Sequence, residues 1–206
     1  TFPLFDDFQK STIDPNIWDF TDGFYLSSGK LMGENSSCRL RSVQSFSHSY
    51  AVETRHRMIS FAPNGYQAAG WYGSSTNGFN LLIHNPPRLY VRNDGVWIER
   101  DFDVTSSWLR IRNICTGANS RIEIERESDG LEFNFTLDNS GLTNEYVSLG
   151  RRNDNVDYNE PYIGAWDWLL VRKYVSPEPE VIAGPVERID DGLHKYVTSR
   201  VITLPG

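Results

Sequence analysis

"SRIEIERESDGLEFNFTL", residues 120 to 137, spells out a hairpin. Ile122 and Ile124 alternate with Arg121, Glu123 and Glu125, which gives one apolar and one wet face. Ser128-Asp129-Gly130 supplies a turn, and the alternation resumes after it. Two alternating segments joined so closely pair antiparallel.

The same pattern recurs on both sides. In "SYAVETRHRMISF" (49–61), Val52, Thr54, His56 and Met58 oppose Glu53, Arg55 and Arg57. "FNLLIHN" follows, then "RLYVRNDGVWIERDF" with Asn93-Asp94-Gly95 at its middle, then "SWLRIRNICTG" and "YVSLGRR". No stretch keeps a helical apolar period for three turns. Many short strands with Gly, Asn and Asp turns between them predict an all-β sandwich or barrel of antiparallel sheets.

Composition narrows the function. The 206 residues are 13% aromatic and 23% charged, with a net charge of −7. That is a chain with core to spare. The acidic balance argues against nucleic acid or an anionic membrane as partner. No apolar run approaches the ~20 residues of a helical membrane span. The start at Thr1 reads as a removed leader or a piece of a longer protein. Cys38 and Cys115 fit either a disulfide or two buried thiols. Asn-x-Ser/Thr triplets stand at Asn35 and Asn134.

The text changes near the end. "GAWDWLLVRKY" (164–174) reads as a last strand, with Asp167 costly to bury between two tryptophans. Pro177, Pro179 and Pro185 then mark a linker. The expected division is a sandwich over 1–181 and an extension over 182–206. Residues 195–204 read as one more strand, which needs a partner: its own domain, a following domain or another copy.

The opening "LFDDFQKSTIDPNIWDF" (4–20), "YLSSGKLMGE" (25–34) and the closing "DWLLVRKYVSPEP" together resemble the concanavalin A-like lectin and glucanase superfamily. They are closest to laminin-G-like domains of bacterial and archaeal surface proteins. The resemblance covers residues 3 to 181 and implies a jelly roll of two curved antiparallel sheets. It also implies a structural Ca²⁺ held by the Asp167 carboxylate and the backbone carbonyls of Asp7 and Gly29. Ca²⁺ takes oxygen ligands of this kind. The competing reading has Asp167 bonding backbone amides where the termini meet.

The glucanase branch cuts glycans with alternating acids on one strand. Glu123, Glu125 and Glu127 have that spacing, but Arg121 and Arg126 border them and no aromatic platform adjoins. They read as the wet face of a strand, and no catalytic residue is assigned. His48, His56, His84 and His194 show no metal spacing, and His56 reads as a core histidine. A lyase reading, with Glu53, Arg55 and Arg57 as one element, lacks its Gln-x-His partner.

A glycan site needs aromatic rings and planar polar groups. The candidates are Arg55, Arg57, Tyr66, Trp71, Tyr72, His84, Arg88 and Trp97. Asn85 and Trp166 adjoin them and Glu53 shares the polar floor with Arg55 and Arg57, while Trp18, Trp108 and Trp168 are expected in the core. The leading expectation is an extracellular, non-catalytic carbohydrate-binding or adhesion module of a surface protein. One alternative is a structural subunit of a filament, pilus or virion that self-associates through residues 195–204 by strand insertion. The other is a polysaccharide-cleaving enzyme.

Overall fold

The computed structural model describes residues 2–20, 23–34, 39–60, 66–72, 78–84, 88–93, 96–100, 102, 104, 107–116, 119–138, 144–150, 163–178, 188–190 and 195–197. Within 66–67, 72–88, 90–98, 100, 137–138 and 188–197 only the backbone is described. The chain divides into two units, Thr1–Lys173 and Tyr174–Gly206.

Fifteen strands build the first unit: β1 (Leu4–Asp6), β2 (Trp18–Phe20), β3 (Phe24–Ser27), β4 (Lys30–Glu34), β5 (Arg39–Ser47), β6 (Tyr50–Ser60), β7 (Tyr66–Tyr72), β8 (Gly78–His84), β9 (Arg88–Asn93), β10 (Val96–Arg100), β11 (Trp108–Cys115), β12 (Asn119–Arg126), β13 (Leu131–Asp138), β14 (Asn144–Gly150) and β15 (Ile163–Lys173). No helix occurs among the described residues. One sheet has eight strands, in the order β13-β12-β11-β6-β15-β4-β3 with β1 also against β15. The other has seven, in the order β10-β9-β8-β7-β14-β5-β2. The pairings are antiparallel. Chain neighbours β6 and β7 lie in different sheets, so the path crosses between layers, as in a jelly roll.

The opening hairpin forms as read: Arg126 of β12 pairs Leu131 of β13. Alternation holds along β6, where Val52, Thr54, His56 and Met58 are buried. Ile111, Ile122, Ile124, Leu169 and Val171 join them from neighbouring strands, and Leu40, Ala69, Trp71, Val147 and Leu149 meet them from the other sheet. Apolar side chains along each strand's inner face are what a sandwich core requires.

The tryptophans sort differently from the sequence expectation. Trp18 is buried as expected. Trp71, expected at a ligand site, is 1% exposed, meets Phe46 edge-on at 6.1 Å, and donates from Nε1 to the Asn113 carbonyl at 3.1 Å. Trp166 is likewise buried, and its Nε1 donates to the Ala68 carbonyl at 2.8 Å. Trp108 and Trp168, expected in the core, are only half-buried.

The cause for Trp168 is a bulge. Trp166 pairs His56 and Trp168 pairs Arg55, the next partner position, so Asp167 is the extra residue on β15. A bulge inserts one residue and re-aims its side chains. Trp166 therefore points inward, and both Asp167 and Trp168 stand on the outer face. Asp167 is never buried between the tryptophans at all.

The second unit holds a short antiparallel pair, β16 (Arg188–Asp190) and β17 (Lys195–Val197). The strand expected over 195–204 is described only at 195–197, and there its partner is 188–190 of the same tail.

Candidate functional site

The eight ligand candidates do not converge. Arg55 and Arg57 lie on β6 in the eight-stranded sheet. Tyr66, Trp71 and Tyr72 lie on β7, His84 on β8, Arg88 on β9 and Trp97 on β10, all in the seven-stranded sheet. The register sets His84 opposite Arg88 and Trp97 opposite Arg92. The side chains of Tyr66, Tyr72, His84, Arg88 and Trp97 lie outside the described residues, as do Asn85 and His194. Trp71 is removed from the candidate set by its burial.

The outer face of the eight-stranded sheet carries a ladder of ion pairs instead. Arg55 is its hub. Its Nε and Nη2 donate to the two Glu127 oxygens at 2.9 and 2.7 Å, and Nη1 donates to Asp167 at 2.9 Å. The guanidinium lies 4.2 Å from the centre of the Trp108 ring, which the alternation of β11 places on the outer face with Arg110, opposite buried Leu109. One rung along, Arg112 reaches Glu53 at 3.1 Å and Glu123 at 3.1 Å. Arg172 also bonds Glu53, and Arg121 bonds Glu123 at 2.9 Å. Arg110 touches Glu127 at 3.0 Å and Glu125 at 3.8 Å. Strand pairing brings these together: Arg112 sits between Glu53 of β6 and Glu123 of β12.

The ladder bears on Glu127 as a hydrolytic acid. A glycosidase acid must hold its proton near neutral pH, which requires a raised pKa. Glu127 moves the other way: its hydrogen bonds with Arg55, and secondarily with Arg110, hold the carboxyl below its usual range. Ile122 and Ile124 between the acids face the core, as expected of a strand's wet face. On the opposite sheet, β5, β7, β8 and β9 contain no Asp or Glu. Its strand acids are Asp19, Glu99 and Glu145, one each on β2, β10 and β14.

The histidines stay apart among the described residues. His56 is fully buried, with its ring 4.7 Å from that of Trp166. His48 Nδ1 lies 3.7 Å from Cys115 Sγ. Cys38 lies outside the described residues.

The positions nominated for Ca²⁺ do meet near one corner. The carbonyls of Asp7 and Gly29 converge on a single atom, Gln9 Nε2, at 3.2 and 3.0 Å. Asp7, Gln9 and Asp167 line one hollow of about 350 Å³ with Phe5, Trp168 and Leu170. The donor set, however, does not fit the ion as arranged. Both carbonyls already accept N–H bonds. The Asp167 carboxylate already faces two cations, Arg55 at 2.9 Å and Lys30 at 3.9 Å. Ca²⁺ needs six to eight oxygens, and each of the three nominated groups already has another partner here. Gly29 has φ +68°, and a Cβ there would lie 2.6 Å from Gln9 Nε2, so glycine is required for the amide to seat. Sequence reasoning missed Gln9 because a glutamine beside a Phe-acid-acid-Phe opening carries no ligand signal.

Asp6, the first acid of that opening, has a separate task. Its oxygens accept Trp18 Nε1 at 2.7 Å and the Phe8 N–H at 2.9 Å, which anchors the buried indole.

No family model matches the sequence, and no curated protein is similar to it. Solved structures do match. A glycosyl hydrolase family protein from Mycobacterium fortuitum superposes with a TM-score of 0.63 at 13% identity, over 84% of this chain and all of that one. A pseudo β-1,3-glucanase of Mycobacterium tuberculosis gives 0.62 at 13%, over 84% and 99%. The Bacillus licheniformis β-glucanase gives 0.60 at 14%, over 82% and 97%. The fold is the concanavalin A-like jelly roll. At these identities the likeness shows the fold and nothing finer.

Proposed function

We propose that the sandwich is a non-catalytic glycan-binding module of an extracellular or cell-surface protein, of the laminin-G-like kind. The observation that carries this is the pairing of the alternating acids: Glu123, Glu125 and Glu127 each face an arginine within 3.8 Å. A carboxylate paired with a guanidinium can orient a sugar hydroxyl, and Glu127, whose pKa is lowered chiefly by its bond to Arg55, is poorly suited to protonate a leaving oxygen. Support comes from the β-glucanases that share the fold, one of which is described as a pseudo-enzyme. The test pairs two assays on the full chain with soluble polysaccharides, neutral and anionic. Tryptophan fluorescence is expected to respond saturably to at least one, with no release of reducing or unsaturated ends. Product release that an E125Q variant abolishes would overturn the reading, as would silence in the fluorescence assay.

The same reading assigns no ion to the corner where Asp7, Gly29 and Asp167 meet. An ion at 100 times its Kd stabilises a fold by about 2.7 kcal/mol. In a domain of this size that moves Tm by roughly 5–10 °C. We expect excess chelator and millimolar Ca²⁺ to leave Tm the same within about 1 °C. Gln9→Ala should lower stability by about 1 kcal/mol through two lost, solvent-accessible bonds. A chelator-induced drop of several degrees would restore the ion and displace the amide.

A further inference from the structure

We infer that the outer face of the eight-stranded sheet holds the glycan, and that the glycan is uncharged. This rests on the glycan-binding reading above. The observation is a groove of about 500 Å³ over β11, β12 and β13, with Trp168 of β15 as one wall and Glu132 and Asn134 of β13 as the other. Four arginines and four glutamates line it, so its charge balances. The charges are fixed in place by one another: Arg112 is spanned by Glu53 and Glu123, and Arg110 by Glu125 and Glu127. Fixed donors and acceptors side by side suit a polyol, whose hydroxyls both give and take hydrogen bonds. Pre-ordering them in the free protein removes much of the entropy cost of binding.

Charge selects against other ligands. A polyanion gains little here, because each guanidinium would have to exchange one carboxylate for another anionic group. A polycation meets the mirror-image obstacle. A neutral hydroxyl can add to the unused N–H and lone-pair directions without breaking any fork. Trp168 adds a planar apolar surface. The bulge at Asp167 turns it outward, and it forms the ridge between this groove and the hollow beside Phe5 and Leu170. A ring face beside planar polar groups is the chemistry that seats a pyranose.

The experiment titrates the full chain and its variants with a soluble neutral β-1,3-glucan, a neutral mannan and an anionic polyuronate, read by calorimetry. Trp168→Ala should weaken binding of the neutral glycan tenfold or more. Arg110 is 60% exposed, so Arg110→Ala tests the same groove without burdening the fold and should weaken binding three- to tenfold. Raising NaCl from 50 to 500 mM should change the affinity by less than twofold. Three results would overturn the inference while leaving glycan binding intact. They are wild-type affinity in both variants, loss of binding in Trp97→Ala on the opposite sheet, or preference for the polyuronate with steep salt dependence. Failure of the wild-type chain to bind any of the three overturns the glycan reading itself, and this inference falls with it.

Discussion

Acidifying the protein from pH 6.5 to pH 4.5 should cost it roughly 2–3 kcal/mol of folding stability, and His56 is the reason. Burial pushes the His56 pKa down from 6.5 to about 3, opposed by a hydrogen bond with the Ala165 backbone. Above pH 6.5 the imidazole is neutral whether the chain is folded or not, so it takes no part in the balance. Below that, the unfolded chain takes up a proton that the folded chain refuses until about pH 3. The folded pKa is the lower one, so stability is full above the unfolded pKa and falls as pH drops toward the folded one. The slope is about 1.4 kcal/mol per pH unit, and the whole domain is worth only some 5–15 kcal/mol. Three acids are also held low, Asp14, Glu127 and Asp129. Their stabilising effect is lost only below about pH 4.5, so the higher window isolates the histidine. Urea unfolding of wild type and His56→Leu at pH 7.0, 5.5 and 4.5 reads this directly. The variant should start less stable through imperfect packing against Trp166, yet hold a flat profile across the window. A wild-type profile that is already flat, or a sloped profile in the variant, would refute the assignment.

His56 was legible in the sequence because it sits at an even step of a clean alternation with Val52, Thr54 and Met58. Where alternation is unbroken, face follows from counting, and β6 and β12 behaved that way. It fails at two kinds of place. The first is a bulge: one extra residue at Asp167 reverses the assignment of Trp166 and Trp168, and nothing in "AWDW" announces it. The register of β7 shifts in the same way between Gln67 and Ala69, so that Ala68 and Ala69 are both buried. The second is the choice of sheet. Arg55 and Tyr66 are close in sequence, but β6 and β7 belong to opposite layers, and hairpin spacing does not tell a turn from a crossover. A candidate site drawn from neighbouring strands therefore split in two. The outer-face ladder was visible only as alternating charge, because its partners come from strands far apart in the chain: Arg55 to Glu127, Arg112 to Glu53, Arg172 to Glu53.

That ladder yields the second large effect. Arg55→Met should destabilise the fold by about 2–3 kcal/mol at neutral pH. The change removes a two-pronged bond to Glu127, a bond to Asp167 and the stack on Trp108 at once. Charge-assisted bonds are worth about 1.5–3 kcal/mol each where water is partly excluded, and Arg55 is 25% exposed. The cost stays below that of a fully buried orphan, because Glu127 keeps Arg110 and Asp167 keeps Lys30. Arg55→Lys should recover less than half, since an ammonium restores charge but not the planar fork or the stack. Arg110→Ala, with its side chain mostly in water, should cost less than about 1 kcal/mol. The pH profile separates this role from simple packing. Glu127 is held below its usual range chiefly by Arg55, so it stabilises the fold above about pH 4.5, and that contribution is lost as pH falls through its folded pKa. In Arg55→Met that low-pH limb should shrink while the His56 limb between pH 6.5 and 4.5 persists unchanged. If Arg55→Met unfolds within 0.5 kcal/mol of wild type, or both limbs survive in it, the bulge at Asp167 is held by backbone register alone and the ladder is an ornament of the surface.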